Sequence, residues 1–174
     1  MRYLNLSVEF VLMKLKGRYF ARKDLVLEIR SCLKSISKEF EKILPVDGKL
    51  EVAETEGGNL ILVNGEAVLF KHGEEHFPTV RGALKINADK RFITVDKGAI
   101  PFIAKGADVM RPGVAAFDEG IKKGELVVVN EETRRKALAI GIALWSGEEL
   151  KNNRSGKCVK VIHYVGDELW NLSL

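Results

Sequence analysis

The sequence predicts an α+β fold in two modules: a helix packed on hairpins, then a small barrel, mostly β with one or two short helices. Three observations carry this expectation. Apolar residues recur at Val26, Ile29, Leu33, Ile36, Phe40 and Ile43, the three- and four-residue spacing of an amphipathic helix. Asn64-Gly65 separates two apolar runs, the strongest short hairpin signal. Beyond residue 126, short apolar runs alternate with turn residues, the pattern of a small closed sheet.

Taken in order, Leu4, Leu6, Val8, Phe10 and Leu12 alternate with Asn5, Ser7 and Glu9, the period of a half-buried strand, and Met13 offers a second candidate start. The helix opens after Arg22-Lys23-Asp24 and is stopped by Pro45. Lys34, Lys38 and Lys42 lie four apart on another face, which reads either as a solvated surface or as a platform for a polyanion or protein. Leu50–Thr55, Asn59–Val63 and Glu66–Lys71 follow as strands, and Thr79–Asn87 as a short helix after Pro78. The first module closes near Asp89, giving expected domains of residues 1–89 and 90–174.

The second module opens with a strand over Arg91–Val95 and runs into V-D-K-G-A-I-P-F-I-A-K-G-A-D-V-M-R-P-G-V, Val95 to Val114. Pro101 is tolerated only in a first turn, so a short helix is expected over about Gly98–Ala104, with Gly106 as its left-handed stop. Ala107–Met110 is a strand ended by the turn Arg111-Pro112-Gly113, where Gly113 either allows a close approach or serves only a positive φ that the turn needs. Further strands are expected over Leu126–Asn130, Lys136–Trp145, Cys158–Val165 and Leu169–Leu172. Ser146 caps one helical turn between the second and third of these.

Composition excludes several classes. The 174 residues are 46% hydrophobic and 30% charged, which suits one ordinary domain or two small ones rather than a disordered or fibrous chain. No run approaches the roughly 18 apolar residues of a membrane span. The N-terminus lacks the apolar run and cleavage site of a signal peptide. Cys32 and Cys158 form no C-x-x-C and read as buried thiols of a reducing compartment, hence a cytoplasmic protein. The absence of glutamine leans toward heat adaptation. The net charge of +4 is modest, but residues 1–38 hold nine Lys/Arg against three Asp/Glu, a cationic patch suited to polyanions.

Candidate chemistry is sparse. His72-Gly73-Glu74-Glu75-His76 fits H-x-x-E-H, a zinc-peptidase pattern that needs both imidazoles on one helical face. Gly73 and Phe77-Pro78 deny it that helix, so these read as loop histidines. There is no G-x-S-x-G, and His163 sits in a strand as a packed residue. No cofactor or metal is called for. The 95–114 stretch fails the Walker and dinucleotide spacings, because Lys105 precedes its glycine. Glycines beside Lys97, Lys105 and Arg111 instead suit an anion such as a phosphodiester backbone, or simply tight packing of helix on barrel.

The stretches D-K-G-A-I and K-G-A-D-V-M-R-P-G-V resemble the signature of the PUA domain, a pseudobarrel of RNA-modifying enzymes and translation proteins. The later L-V-V-V-N, A-L-A-I-G-I-A and H-Y-V-G-D-E-L-W extend that likeness over about Arg91 to Leu172. The lysine-rich helix, the I-L-V-N-G-E-A-V-L-F hairpin and F-P-T-V-R resemble the domain preceding the PUA in the malignant T-cell-amplified protein family and its archaeal relatives.

This resemblance implies a non-enzymatic RNA-binding protein of translation initiation, reinitiation or recycling. Its partners would be the small ribosomal subunit, the tRNA 3′ end or ribosomal RNA, and a density-regulated-type protein. By position it puts Lys97, Gly98, Lys105, Gly106, Arg111, Pro112 and Gly113 at the RNA surface, with Lys151, Asn152 and Arg154 as a cationic rim or a solvated loop. One of Val109 and Met110 should face the core and the other a base. An RNA-binding accessory subunit of an RNA-modification enzyme is the alternative, and a zinc hydrolase or a protein adaptor are the readings from other classes.

Overall fold

The computed structural model describes residues 14–174, and the alternating segment Leu4–Leu12 lies outside them. The first sheet is a five-stranded antiparallel meander, β1 (Leu15–Phe20), β2 (Leu50–Thr55), β3 (Gly58–Val63), β4 (Glu66–His72) and β5 (Glu75–Pro78), in chain order. The β3–β4 connection is the two-residue turn that Asn64-Gly65 predicts, with φ of 52° and 79° at its two positions. Positive φ at both is the twist that two-residue hairpins require.

The expected helix is divided. α1 (Lys23–Ile36) ends at Ser37, whose backbone is extended and whose hydroxyl accepts from Phe40 N–H, capping α2 (Lys38–Glu41). The same hydroxyl donates to Asp89 at 2.6 Å. A serine side chain that can take a backbone partner competes with helix continuation, and here it wins. The lysine row is broken accordingly, since Lys42 lies beyond both helices and pairs with Glu39 at 2.6 Å.

Two strands of this sheet differ from expectation. β1 is almost wholly exposed and so carries no alternation to read. The expected loop around His72 is the β4–β5 hairpin, with His72 opposite Glu75 and His76 opposite Lys71. His76 is 3% exposed, so it is a core residue rather than a loop histidine.

The second sheet has six strands: β6 (Phe92–Val95), β7 (Val109–Met110), β8 (Val114–Phe117), β9 (Leu126–Glu131), β10 (Ala137–Ala143) and β11 (Lys157–Tyr164). Their spatial order is β7-β11-β10-β9-β6-β8, with β6 parallel to β9 and the other pairs antiparallel. The two edges, β7 and β8, are consecutive in the chain and joined only by a 3-10 turn over Arg111–Gly113. A three-residue link between opposite edges forces the sheet to curl into a nearly closed barrel. The expected strand over Leu169–Leu172 is instead a set of turns. The Asp167 carboxylate, 2.7 Å from His163 Nδ1, accepts from Tyr164 N–H and Trp170 N–H, while Asn171 N–H donates to Asp167 O and Leu172 N–H to Leu169 O, so the amides a strand would use are taken.

Two cores result. Inside the barrel lie Ile93, Val95, Ile103, Val109, Val127, Val129 and Val159. Leu126, Val128, Ile140 and Leu169 point the other way and join Ile29, Leu33, Phe40 and Phe77 in one continuous core with the first sheet. β9 is therefore buried on both faces, which explains its unbroken L-V-V-V-N. Arg91 ties the halves together electrostatically, 2.6 Å from Glu75 and 3.7 Å from Glu125. Arg81 does the same by donating to Trp170 O over the indole face. Both cysteines are free, and burial pushes the Cys158 thiol up to about 11.

Burial, helped by Lys71 and opposed by Glu28, holds His76 below its ordinary value. A histidine kept neutral on folding makes the unfolded chain bind more protons below about pH 6.5, so stability is full above that pH and falls as pH drops toward the folded value. Urea midpoints should fall in that interval, with a contribution of at most about 1.4 kcal/mol per pH unit from this residue. That portion should vanish in His76→Leu. An unchanged slope in the variant would assign it elsewhere.

Candidate functional site

The 95–114 stretch builds a groove on the outside of the barrel. As β6 ends, Asp96 fixes the next turn twice: its N–H donates to Gly113 O at 2.9 Å and its carboxylate accepts from Ala99 N–H at 3.0 Å. α4 (Ile100–Ile103), which follows α3 (Val80–Ala83) in the chain, carries Pro101 in its first turn, where no amide is lost. One helical turn then sends Ile103 into the barrel core and leaves Phe102 65% exposed. Gly106 stops the helix at φ 88°, and a Cβ there would come within 2.6 Å of the Tyr164 ring. Only glycine meets both demands.

β7 forms the opposite wall. Val109 is buried and Met110 is 49% exposed, so Met110 is the one that faces outward. The Asp108 carboxylate accepts from Val161 N–H and pairs with Lys157, each at 2.9 Å, fastening this wall to β11. Gly113 does not adopt a positive φ. Its Cβ would lie 3.1 Å from that of Ala99, so the reason for glycine is the close approach of the 3-10 turn to the start of α4. Between the walls lies a cavity of about 390 Å³, floored by Ile103 and bordered by Phe102, Met110, Asp96 and Asp108.

The residues singled out in the sequence divide into three groups. Gly98, Pro112 and Gly113 line the groove. Lys97 and Lys105 are exposed in the chain on either side of α4 and do not line the groove. The others stand back from the cavity. Gly106 is packed on Tyr164. Arg111 is half-buried, its Nε donating to Leu150 O at 2.7 Å and Nη1 to Val114 O at 3.3 Å, with the guanidinium over Phe117. It anchors the turn to α5 (Gly147–Asn152), whose Ser146–Glu149 capping box matches the expected cap. Lys151 pairs with Glu119 at 3.6 Å, and Arg154 is exposed beyond the end of α5.

Phe102, Asp96 and Asp108 escaped the sequence reading. A one-turn helix with Ile100 and Ile103 three apart turns residue 102 outward, so Phe102 was findable. The placement of the two aspartates depends on strand register and was not. The H-x-x-E-H residues are not gathered, since Glu75 is engaged by Arg91 and His76 is buried. Among the described residues no group of three or more His, Cys, Asp and Glu could hold a metal ion, and no helix is long and apolar enough to cross a membrane.

Comparison with known proteins covers both halves. The PUA domain pattern matches residues 91–165, and a domain of unknown function, DUF1947, matches residues 18–86. An uncharacterized protein of Methanocaldococcus jannaschii is 40% identical over 159 residues, which are 91% of this chain and 98% of that one. Translation machinery-associated protein 20 of Saccharomyces cerevisiae is 32% identical over 146 residues, 80% and 81% of the two chains. Malignant T-cell-amplified sequence 1 of Rattus norvegicus is 32% identical over 117 residues, 65% and 64%. Among solved structures, a hypothetical protein of Pyrococcus horikoshii OT3 superposes with a TM-score of 0.81 at 36% identity, covering 91% of this chain and all of that one.

Proposed function

Because the chain belongs to the family of translation machinery-associated protein 20 and the malignant T-cell-amplified proteins, we propose that it is a non-catalytic RNA-binding factor of the translation apparatus whose groove beside α4 holds an RNA 3′ end. The observation that carries this reading is the pairing of an exposed Phe102 with an exposed Met110 across a cavity of about 390 Å³ whose lining holds no lysine, while Lys97 and Lys105 are exposed in the chain on either side of α4. An aromatic face and a thioether suit an unstacked base. Lys97 and Lys105 suit the phosphates on either side. Asp96, whose carboxylate has no cation beside it among the described residues, disfavours a phosphate inside the groove but can accept from a ribose hydroxyl, which favours a terminal nucleoside with a free 3′ end over an internal one.

Within this reading Gly98, Pro112 and Gly113 allow close approach of the sugar. Gly106 and Arg111 hold the walls, and Lys151 and Arg154 extend the positive field. Residues 1–89 form the face toward the small ribosomal subunit or a density-regulated-type partner, residues 90–174 hold the tRNA acceptor end, and the setting is cytoplasmic.

Binding of labelled tRNA with and without its terminal CCA, over a salt series, tests the reading. Removal of the CCA should weaken binding roughly 10- to 100-fold, the worth of one or two stacked bases. Lys97→Ala/Lys105→Ala should reduce the log–log salt slope by about 1.4, two phosphate contacts to a single strand. Equal affinity for the shortened tRNA would overturn it.

A further inference from the structure

Away from the groove, one edge of the first sheet is open. Among the described residues seven large apolar side chains are exposed. Phe102 and Met110 flank the groove, and three of the other five, Leu15, Tyr19 and Phe20, belong to β1. The opposite edge of that sheet is closed. In β5, His76, Phe77 and Pro78 are buried, and α1 lies against the strand at Cys32, whose thiol donates to His76 O at 3.6 Å. β1 contains no proline and is buried at no position. An uncovered strand edge with apolar side chains is a template for another strand.

The register identifies which groups are on offer. β1 pairs with β2 alone, with Tyr19 opposite Val52 and Ala21 N–H donating to Leu50 O at 2.8 Å. In an antiparallel pair, successive residues point their amide and carbonyl alternately toward and away from the neighbouring strand. Tyr19 and Ala21 therefore face β2, while Arg18 and Phe20 turn theirs to the open side. Beside them, Tyr19, Phe20, Arg22, Asp24 and Leu25 line a cleft of about 560 Å³ where β1 runs into α1, a seat for an apolar side chain of an added strand.

Charge selects the occupant. Residues 14–23 hold five Lys/Arg and no Asp/Glu. Of these five, only Arg18 is ion-paired among the described residues, 2.7 Å from Glu51. Lys49 stands 5.1 Å from the Phe20 ring and adds to the positive field. Like charges opposite one another destabilise a strand pair, and opposite charges stabilise it. A second copy of β1 would set these cations against themselves, whereas a strand carrying carboxylates would meet them. A phosphodiester chain would answer the outward amides but not the carbonyls beside them; a peptide backbone answers both.

We propose that the open edge of β1 is a protein-docking site, which takes an extended acidic segment of a partner protein as an added strand of the first sheet. Apolar side chains of that segment pack on Tyr19 and Phe20, and its carboxylates lie beside Lys14, Lys16 and Arg22. The inference rests on the reading of residues 1–89 as the face toward a partner, to which it gives a place and a chemistry, and it is independent of the groove.

Amide exchange in the full chain tests it residue by residue. In the free protein the Arg18 and Phe20 amides should exchange fast and those of Tyr19 and Ala21 slowly, since only the latter are bonded to β2. A peptide alternating valine with glutamate should slow Arg18 and Phe20 roughly tenfold or more. The same peptide with lysine in place of glutamate should not. Lys14→Glu/Lys16→Glu, at two exposed positions, should weaken the acidic peptide roughly tenfold and admit the basic one. Slow exchange of Arg18 and Phe20 in the free chain overturns the proposal: protection that survives dilution means that another part of the chain covers the edge, and protection lost on dilution means a second copy. Equal protection by both peptides, or protection by a single-stranded oligouridylate that the acidic peptide does not displace, overturns it too. Protection elsewhere in residues 14–89, but not at these two amides, removes the edge and keeps the module as partner-facing; protection nowhere in it removes both. Phe102→Ala should leave peptide binding intact, so a failure of the groove reading shows separately.

Discussion

Truncating Phe102 to alanine is expected to weaken binding of a tRNA 3′ end roughly 10- to 100-fold and to leave thermal stability nearly unchanged. The ring is 65% exposed on a helix of one turn, while its neighbour Ile103 is buried. The core therefore keeps Ile103, and an exposed truncation of this kind moves stability by about 0.5 kcal/mol or less. Binding loses the stacking surface, about 1–3 kcal/mol per base. Phe102→Leu separates the two ways a phenyl ring can help. Leucine keeps most of the apolar area and has no π-face, so it should rescue little if stacking dominates and much if burial does. The same titration with an RNA whose 3′ hydroxyl is phosphorylated completes the argument. Asp96 should disfavour the added charge, so the blocked RNA should bind wild type poorly and respond little to Phe102→Ala. A neutral Phe102→Ala on the free-ended RNA would remove the groove from consideration.

Phe77→Ala should be the most destabilising of the substitutions considered, at about 3–5 kcal/mol. Phe77 is fully buried in β5, 5.8 Å from the Phe40 ring, and beneath the Arg91 guanidinium that pairs with both Glu75 and Glu125. Its loss leaves a void in the core shared by the two sheets and loosens the arginine that joins them. For a chain of this size 1 kcal/mol is worth about 2–4 °C, so the midpoint should fall by about 6–20 °C. Phe77→Leu fills most of the space and should cost less than half as much. A loss below about 1 kcal/mol for the alanine variant would mean that the void collapses and that the two sheets are not held by this contact.

The difference between these residues shows where the sequence is informative. The elements that frame the groove were readable because each depends on neighbours in the chain. Asn64-Gly65 sets a hairpin, Ser146 with Glu149 caps α5, and Pro101 with Gly106 brackets α4. Misreadings arose where a side chain further along competes for backbone partners. Ser37 divides the helix, and Asp167 turns the expected last strand into a cap. β1 and β5 escaped notice because an edge strand that is wholly exposed, or wholly buried on one short segment, lacks the alternation that betrays a strand.

The candidate site divides along the same line. The glycines and lysines of residues 95–114 were visible as composition, but their roles differ with geometry: Lys97 and Lys105 are exposed, while Arg111 is consumed by Leu150 O and Val114 O. The E-E-T-R turn after β9 was readable as a break between strands, but that the Glu131 carboxylate takes up three of its amides was not. Local chemistry alone determined the two-module α+β order, every barrel strand but β8, and the position of the helix beside the cations. The tertiary structure decided which side of α4 faces outward, which carboxylates are taken up by backbone amides, and that β9 serves two cores at once. Those outcomes depend on contacts between residues dozens of positions apart, whose pairing is chosen by the packing of the whole sheet.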